Sequence, residues 1–243
     1  MFVCDREQLG RDLITLTGAE GRHATTVRRI APGERVDLTD GAGLLAECEV
    51  VAARPGAGEL DLVVLGRRAE PEPRCVVTVV QAIVKGSAGE LAAELMTEVG
   101  VDTIVPWEAE RSIARWRQGR EEKALGRWRT AAREAAKQSR RSRFPVVTAQ
   151  ARTAEVIERV RRAEFSAVLD PAGGAALTTL ALPAGGEIVV VVGPEGGISP
   201  REHASLVAAG AVRARIGPTI LRGSTAGAVA AALVLSRSGR WAG

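Results

Sequence analysis

Three glycine-rich segments contain the residue types of a ligand-binding loop. Gly193-Pro194-Glu195-Gly196-Gly197 follows the apolar run Ile188–Val192, and the segment 216–227 (IGPTILRGSTAG) follows another short apolar run. The segment 169–174 (LDPAGG) has the same character. Glycine leaves backbone N–H and C=O groups open to a ligand such as a base or a ribose. The first loop alone fits a tight strand-to-helix turn equally well, but three such loops favour one pocket.

The pocket requires elements that bring these segments together. After residue 73, apolar β-branched runs alternate with helical periodicity, which predicts an α/β fold with a parallel sheet covered on both faces. Predicted strands are 75–84, 103–105, 167–169, 188–192 and 212–216, and predicted helices are 88–99, 118–141, 153–163, 200–209 and 224–237. Ser87–Glu90 and Ser199–Glu202 have the spacing of capping boxes. Ligands bind at the carboxyl ends of strands in such sheets, so the three loops are expected at one edge.

The first 70 residues have a different texture. Short predicted strands at 36–40, 44–51 and 60–65 are separated by Gly and Pro, which indicates a β-rich domain. The polar segment 67–73 (RRAEPEP) is predicted to be a linker, giving domains 1–70 and 73–243. The segment 41–46 (GAGLLA) matches a dinucleotide fingerprint, but it precedes a strand rather than a helix. We therefore assign it to a hairpin turn, which weakens the hypothesis of a nucleotide-dependent oxidoreductase.

Charge is distributed unevenly along the chain. The net charge is +4, yet the first 72 residues carry 9 Lys and Arg against 13 Asp and Glu. Residues 107–145 carry 12 basic side chains against 5 acidic ones. A local basic surface of this kind attracts the phosphate backbone of a nucleic acid, and the alternative is a solvated helix face.

Other residue types are scarce, and this argues against several classes of site. The three cysteines form no Cys-x-x-Cys pair, and the only histidines are His23 and His203. We therefore expect neither a metal site nor a histidine base. No apolar run is long enough to span a bilayer, and no secretory leader is recognisable, so a cytoplasmic location is expected.

Several motifs together resemble a known family. The loop Gly193–Gly197, with Ile216-Gly217-Pro218 and Ile220-Leu221-Arg222, resembles the RsmE family of ribosomal RNA uridine N3-methyltransferases, which belongs to the SPOUT class. The segments 23–29 (HATTVRR), 96–101 (MTEVGV), 110–112 (ERS) and 134–145 (EAAKQSRRSRFP), together with Lys85, resemble further family signatures. The combination covers the whole chain.

The resemblance implies a fold, a cofactor and a target. The fold would be an N-terminal PUA-like β-barrel plus a C-terminal α/β domain with a trefoil knot, and the enzyme would be a homodimer. The cofactor would be S-adenosylmethionine, and the target a uridine of small-subunit (16S) rRNA in the assembled subunit. The resemblance assigns cofactor binding to Leu169, Val192, Gly193, Glu195, Gly196, Gly197, Ile216, Gly217, Leu221, Arg222, Ser224, Thr225 and Ala226.

Catalytic roles are predicted for two of these residues. Arg222 would stabilise negative charge on the uridine carbonyls, and Glu195 would accept a proton or hold the amino group of the cofactor. Ser224-Thr225 stands where the family usually has Glu-Thr, so the general base stays open. Predicted RNA-binding residues are Arg6, Arg28, Arg29, Lys85, Gln138, Arg140, Arg141 and Arg143. The alternatives are a SPOUT ribose 2′-O-methyltransferase and a non-catalytic RNA-binding assembly factor.

Overall fold

The computed structural model describes residues 1–116 and 119–241. These divide into two compact units. The first unit comprises Met1–Glu72 and Ala136–Phe144, and the second comprises the remainder of the described chain.

The first unit contains five strands and two short helices. They are β1 (Phe2–Val3), α1 (Arg6–Leu9), β2 (Leu13–Leu16), α2 (Gly18–Arg22), β3 (Arg35–Thr39), β4 (Leu44–Arg54) and β5 (Glu59–Ala69). A π-helical turn, His23–Val27, continues α2. The strands form one sheet in the order β1-β3-β4-β5-β2, in which only the β1–β3 pair is parallel. Leu38, Cys48 and Leu60 lie on its fully buried face.

The turn between β3 and β4 explains the misleading dinucleotide pattern. Asp40 Oδ1 accepts hydrogen bonds from the amides of Ala42 and Leu44, and Gly41 and Gly43 have φ values of 71° and 106°. Only glycine adopts such values without strain. The two glycines therefore serve a hairpin, as predicted, and no helix follows them.

The boundary of the first unit differs from the predicted domain limits in two ways. β5 runs to Ala69, so the first residues of the predicted linker are paired with β4 rather than free. Residues 136–144, which were predicted to lie in the second domain, belong to the first unit. The physical reason is a set of backbone bonds, including Gly43 N to Ser142 O at 3.0 Å and Phe144 N to Gly41 O at 2.9 Å.

The second unit alternates strands and helices. They are β6 (Cys75–Ala82), α3 (Ala88–Val99), β7 (Thr103–Glu108), α4 (Glu121–Gln138), β8 (Val146–Val147), β9 (Ala151–Arg152), α5 (Thr153–Arg162), β10 (Phe165–Leu169), β11 (Ala175–Ala176), β12 (Gly186–Val192), α6 (Pro200–Ala208), β13 (Val212–Arg215) and α7 (Gly223–Arg237). The strand order is β11-β13-β10-β12-β6-β7-β8, β9 also pairs with β7, and every pair is parallel.

The sheet is buried on both faces. Ile188, Val190 and Val192 of β12 belong to one apolar cluster, which includes residues of α3 and α7. The intervening Val189 and Val191 belong to a second cluster with residues of α5 and α6. Side chains alternate across a strand, so a continuous apolar run fits burial on both sides, as the sequence predicted.

The helix ends confirm one predicted capping box and contradict the other. Ser199 Oγ accepts from Glu202 N, and Glu202 Oε2 accepts from Ser199 N, so α6 begins as predicted. Ser87 makes no side-chain cap: its backbone, with φ −82° and ψ 3°, is not in the extended conformation of an N-cap residue, and the Glu90 carboxylate accepts from Arg127 Nε at 2.7 Å. The predicted helix from residue 118 is α4, which begins at Glu121; Gln118 lies outside the described residues.

Candidate functional site

A cavity of about 820 Å³ lies in the second unit, where three neighbouring parallel strands end. Leu169 ends β10, Val192 ends β12, and Ile216 follows β13. All three residues line the cavity. The predicted meeting of the three strand exits is therefore present, because β12, β10 and β13 are adjacent in the sheet.

The first loop, residues 193–198, requires glycine at particular positions. A Cβ on residue 193 would lie 2.6 Å from Cγ1 of Ile198, and Gly197 has a φ of 72°. The amide of Gly197 donates to Pro194 O at 2.9 Å, which closes a tight turn. The loop therefore presents backbone to the cavity, as a loop that approaches a ligand closely must.

The other two loops are also shaped by glycine. Gly174 has a φ of 91°, and a Cβ there would lie 2.1 Å from the carbonyl oxygen of Arg213. At Gly223, the first residue of α7, a Cβ would lie 2.9 Å from Cγ1 of Val84. The Arg222 carbonyl accepts from the amides of Thr225 and Ala226 and so begins that helix.

Most of the predicted cofactor residues surround this cavity. Those that line it are Leu169, Val192, Gly193, Glu195, Gly197, Ile216, Gly217, Leu221, Arg222 and Ala226. Three others, Gly196, Ser224 and Thr225, do not line it. A Cβ on residue 196 would meet the Arg111 carbonyl at 3.1 Å, Ser224 is buried in the first turn of α7, and Thr225 Oγ1 donates back to Arg222 O.

The two predicted catalytic side chains are both exposed at the cavity wall. Neither the Glu195 carboxylate nor the Arg222 guanidinium forms a hydrogen bond or an ion pair within residues 1–116 and 119–241. An uncommitted carboxylate and an uncommitted guanidinium beside one cavity are available to a ligand.

A buried carboxylate holds the end of the first loop in place. Glu202 is 2% exposed, and its Oε1 accepts from Glu110 N and from Thr153 Oγ1, each at 2.8 Å. The Glu110 carboxylate in turn accepts from Ser199 Oγ at 2.7 Å. Glu202 thus ties the start of α6 to the segment after β7 and to α5.

One polar cluster of the cavity was missed by the sequence reasoning. Asp170 Oδ2 accepts from Arg213 Nη2 at 2.8 Å and from Arg213 Nε at 3.1 Å, and it lies 3.2 Å from His203 Nε2. All three side chains line the cavity. Burial by itself raises the pKa of Asp170, but the Ala172 amide and the Arg213 guanidinium outweigh burial and lower it. Asp170 is therefore ionised at neutral pH.

The predicted RNA-binding residues are divided between the units. Arg6, Arg28, Arg29, Gln138, Arg140, Arg141 and Arg143 belong to the first unit, whereas Lys85 belongs to the second. Two of the arginines are committed internally. Arg6 pairs with Asp40 at 3.1 Å, and Arg143 Nη2 donates to Glu70 O at 2.9 Å.

Arg28, Arg29 and Arg140 are more available, since each is exposed and makes no side-chain hydrogen bond or ion pair within the described ranges. Burial lowers the pKa of the Met1 amino group, Asp37 opposes that effect, and the charges of Arg140 and Arg28 add to it. The guanidiniums of Arg28 and Arg140 therefore both lie near the Met1 amino group, although the two arginines are more than 100 residues apart in sequence. Arg29 and Arg140 also have positive φ values, 51° and 56°.

The described ranges contain neither a metal-binding cluster nor a membrane-spanning helix. Among residues 1–116 and 119–241, no group of three or more His, Cys, Asp or Glu side chains is arranged to hold a metal ion. Over the same residues, no helix combines the length and the apolar character that crossing a membrane requires.

Comparisons with known proteins identify the family. Residues 70–235 match the family described as RNA methyltransferase domain, and residues 16–63 match the RNA methyltransferase PUA domain. The chain is 46% identical over 228 residues to a Mycobacterium bovis protein named Ribosomal RNA small subunit methyltransferase E, covering 92% of this chain and 86% of that protein. The chain belongs to the RsmE family. The resemblance predicted from the motifs is thereby confirmed.

Solved structures of RsmE-type proteins have the same fold. The structure of Ribosomal RNA small subunit methyltransferase E from Neisseria gonorrhoeae, bound to S-adenosyl methionine, matches with a TM-score of 0.81 and 26% identity, covering 92% of this chain and 91% of that one. A probable rRNA-methyltransferase from Porphyromonas gingivalis matches with a TM-score of 0.80 and 28% identity, covering 99% and 98%. The predicted α/β sheet with an N-terminal PUA domain is confirmed, and the trefoil knot stays a prediction.

Proposed function

We propose that this chain methylates N3 of a specific uridine in small-subunit rRNA, within the assembled subunit. As an RsmE family member it is an rRNA methyltransferase that uses S-adenosylmethionine. The observation that carries the finer proposal is that three glycine-shaped loops meet at one cavity, beside the uncommitted Glu195 and Arg222.

The cavity suits the cofactor in size and in lining. A volume of about 820 Å³ lies within the range of small-molecule sites, roughly 300–1,000 Å³. A Cβ on residue 193 would force Ile198 to move, which argues that the backbone of this loop must stay bare. The loops at 193–197 and 216–222 would hold the nucleoside through backbone groups. When bound, S-adenosylmethionine supplies a methyl group that is already activated by its sulfonium.

The chemistry left to the protein is activation of the uridine. N3 of uridine carries a proton and becomes nucleophilic only as that proton leaves, when negative charge spreads onto the two flanking carbonyl oxygens. The exposed Arg222 guanidinium would stabilise this charge without needing to break an existing ion pair. Glu195 would accept the proton or hold the cofactor's amino group.

The first unit would contribute RNA binding. Arg28, Arg29 and Arg140 support this assignment, because they are exposed, uncommitted within the described ranges and drawn from two segments of one unit. Such arginines contact phosphates and position the target without reading its sequence. Lys85 would act from the second unit, and Gln138 and Arg141 would extend the basic segment. Arg6 and Arg143 would contribute less, since internal partners already occupy them.

Nucleoside analysis of labelled small subunits tests the reaction. Incubation with methyl-labelled cofactor should place the label in 3-methyluridine. Label in a 2′-O-methylated nucleoside would refute the proposal in favour of a ribose methyltransferase. Titration with S-adenosylmethionine separates the remaining alternative, since a non-catalytic assembly factor would bind small subunits but not the cofactor.

Substitution of Arg222 tests its role. Arg222→Ala should lower kcat about 10²- to 10³-fold, the usual effect of removing one electrostatic stabiliser, with cofactor affinity little changed. Wild-type methylation by this variant at unchanged cofactor affinity would refute the catalytic assignment. Arg222→Lys keeps the positive charge but not the planar guanidinium, so its kcat should lie between those of the wild type and Arg222→Ala.

We further propose that the enzyme is a homodimer acting in the cytoplasm, where ribosomal subunits are made. The SPOUT resemblance supports the dimer, and the rRNA substrate supports the location. Sedimentation of the purified chain should give twice the monomer mass of 25.5 kDa; a monomer at micromolar concentration would refute the dimer.

A further inference from the structure

The cavity contains a polar cluster that the reaction described above does not use. His203, on the first turn of α6, lines the cavity together with Asp170 and Arg213. Arg213 and the Ala172 amide already satisfy the Asp170 carboxylate. The carboxylate therefore does not depend on the imidazole for its charge balance, and the imidazole is free to serve another partner.

The two ring nitrogens of His203 have different surroundings. Nε2 is buried and lies 3.2 Å from Asp170 Oδ2, off the line of a good hydrogen bond. Nδ1 forms no hydrogen bond within residues 1–116 and 119–241, and unlike Nε2 it is not buried. The side chain is 22% exposed, and His203 lines the cavity. Nε2 therefore lies beside a carboxylate, whereas Nδ1 has no hydrogen-bond partner in these ranges and belongs to a side chain that lines the cavity.

This arrangement fixes the polarity of the exposed edge. In a neutral imidazole, a carboxylate beside Nε2 favours the tautomer with the proton on Nε2, which leaves a lone pair on Nδ1. The exposed nitrogen is then a hydrogen-bond acceptor. An acceptor in this position recognises a donor, and a nucleoside cofactor carries donors in its ribose hydroxyls, its adenine amino group and its α-ammonium group.

We infer that His203 is a cofactor-positioning residue: with Nε2 beside Asp170, its Nδ1 accepts a hydrogen bond from a donor group of S-adenosylmethionine. The inference rests on the proposed function, since it assumes that this cavity is the cofactor site. The inference adds one side chain to a site otherwise lined by loop backbone. This side chain is brought to the cavity by contacts between α6, β13 and the loop after β10. A matched pair of substitutions isolates the ring nitrogen: His203→Phe keeps the ring and removes Nδ1, whereas His203→Asn keeps a polar atom close to the Nδ1 position.

Calorimetric titration of the full-length protein with S-adenosylmethionine tests the inference without requiring turnover. His203→Phe should weaken binding about three- to tenfold, the usual worth of one neutral hydrogen bond, and His203→Asn should recover part of the loss. His23→Phe, in the first unit, should leave the affinity unchanged. Equal affinity of wild type and His203→Phe would overturn the inference. Failure of the wild type itself to bind the cofactor would instead overturn the proposed function.

Cofactor analogues then identify the donor. Wild type and His203→Phe should differ for S-adenosylmethionine but bind equally to the analogue that lacks the recognised group. The probes are 5′-methylthioadenosine, which has no α-ammonium group, the 2′- and 3′-deoxy forms of S-adenosylhomocysteine, and its inosine counterpart, which has no adenine amino group. If the two proteins differed by the same factor for every analogue, the ring would be acting through cavity shape, and the hydrogen bond would be refuted.

Discussion

Arg29 and Arg140 occupy a backbone conformation that normally belongs to glycine. Each follows the end of a helical segment, with φ values of 51° and 56°. Arg141 N donates to Ala136 O, the six-residue bond of a Schellman motif, and Ile30 N donates to Ala24 O, a bond one residue longer that follows the π-helical turn. A side chain in this left-handed region costs about 1 kcal/mol relative to glycine. We therefore expect Arg140→Gly to raise the free energy of unfolding by about 1 kcal/mol relative to Arg140→Ala.

The same pair of variants should not differ in RNA binding. Both remove the guanidinium, so both should weaken binding to small ribosomal subunits and reduce the slope of log K against log salt by about 0.9 for one lost phosphate contact. The assays are chemical denaturation and a salt series of binding titrations. Arg28→Gly is the matched control. Arg28 has a φ of −80°, so glycine there should weaken RNA binding and destabilise the fold by about 0.5–1 kcal/mol.

Two results would refute this reasoning, and they refute different parts of it. If Arg140→Gly were no more stable than Arg140→Ala, the left-handed backbone would not be storing strain. If Arg140→Gly were stabilised but bound small subunits with wild-type affinity and salt dependence, the guanidinium would have no role in binding RNA, and the strain would have no functional counterpart. Arg29→Gly and Arg29→Ala repeat the test on the other segment.

Three further predictions concern the loops and the core. Gly193→Ala places a Cβ 2.6 Å from Ile198, so cofactor affinity should fall at least tenfold by calorimetry, about 1.4 kcal/mol. Glu202→Gln keeps only one carbonyl oxygen for three donors and should lower the free energy of unfolding by about 1–3 kcal/mol in urea; unchanged stability would contradict the buried network. Burial raises the pKa of Cys4 and Cys48 to about 11, so neither thiol should react with iodoacetamide at pH 8 until the protein is denatured.

The parts of the site that follow from local sequence were predictable. A buried apolar run followed by glycines specifies a strand end and a tight exit, whatever lies elsewhere, and the Ser199–Glu202 capping box forms from residues three positions apart. The Ser87–Glu90 box has the same spacing and fails. Ser87 is not in the extended conformation of an N-cap residue, and the Glu90 carboxylate accepts from Arg127, which lies on α4 and is invisible to local spacing.

The parts that were missed all depend on register between distant strands. Pairing of β10 with β13 sets Val168 beside Arg213 and Leu169 beside Ala214, and this brings the Arg213 guanidinium to the carboxylate that follows β10. His203 reaches the same carboxylate from α6. None of the three residue types forms a motif with the others in sequence, and the count of two histidines argued only against a metal site and a histidine base. The backbone loops could therefore be predicted from composition, whereas the side chains that give the cavity its polarity required the sheet order.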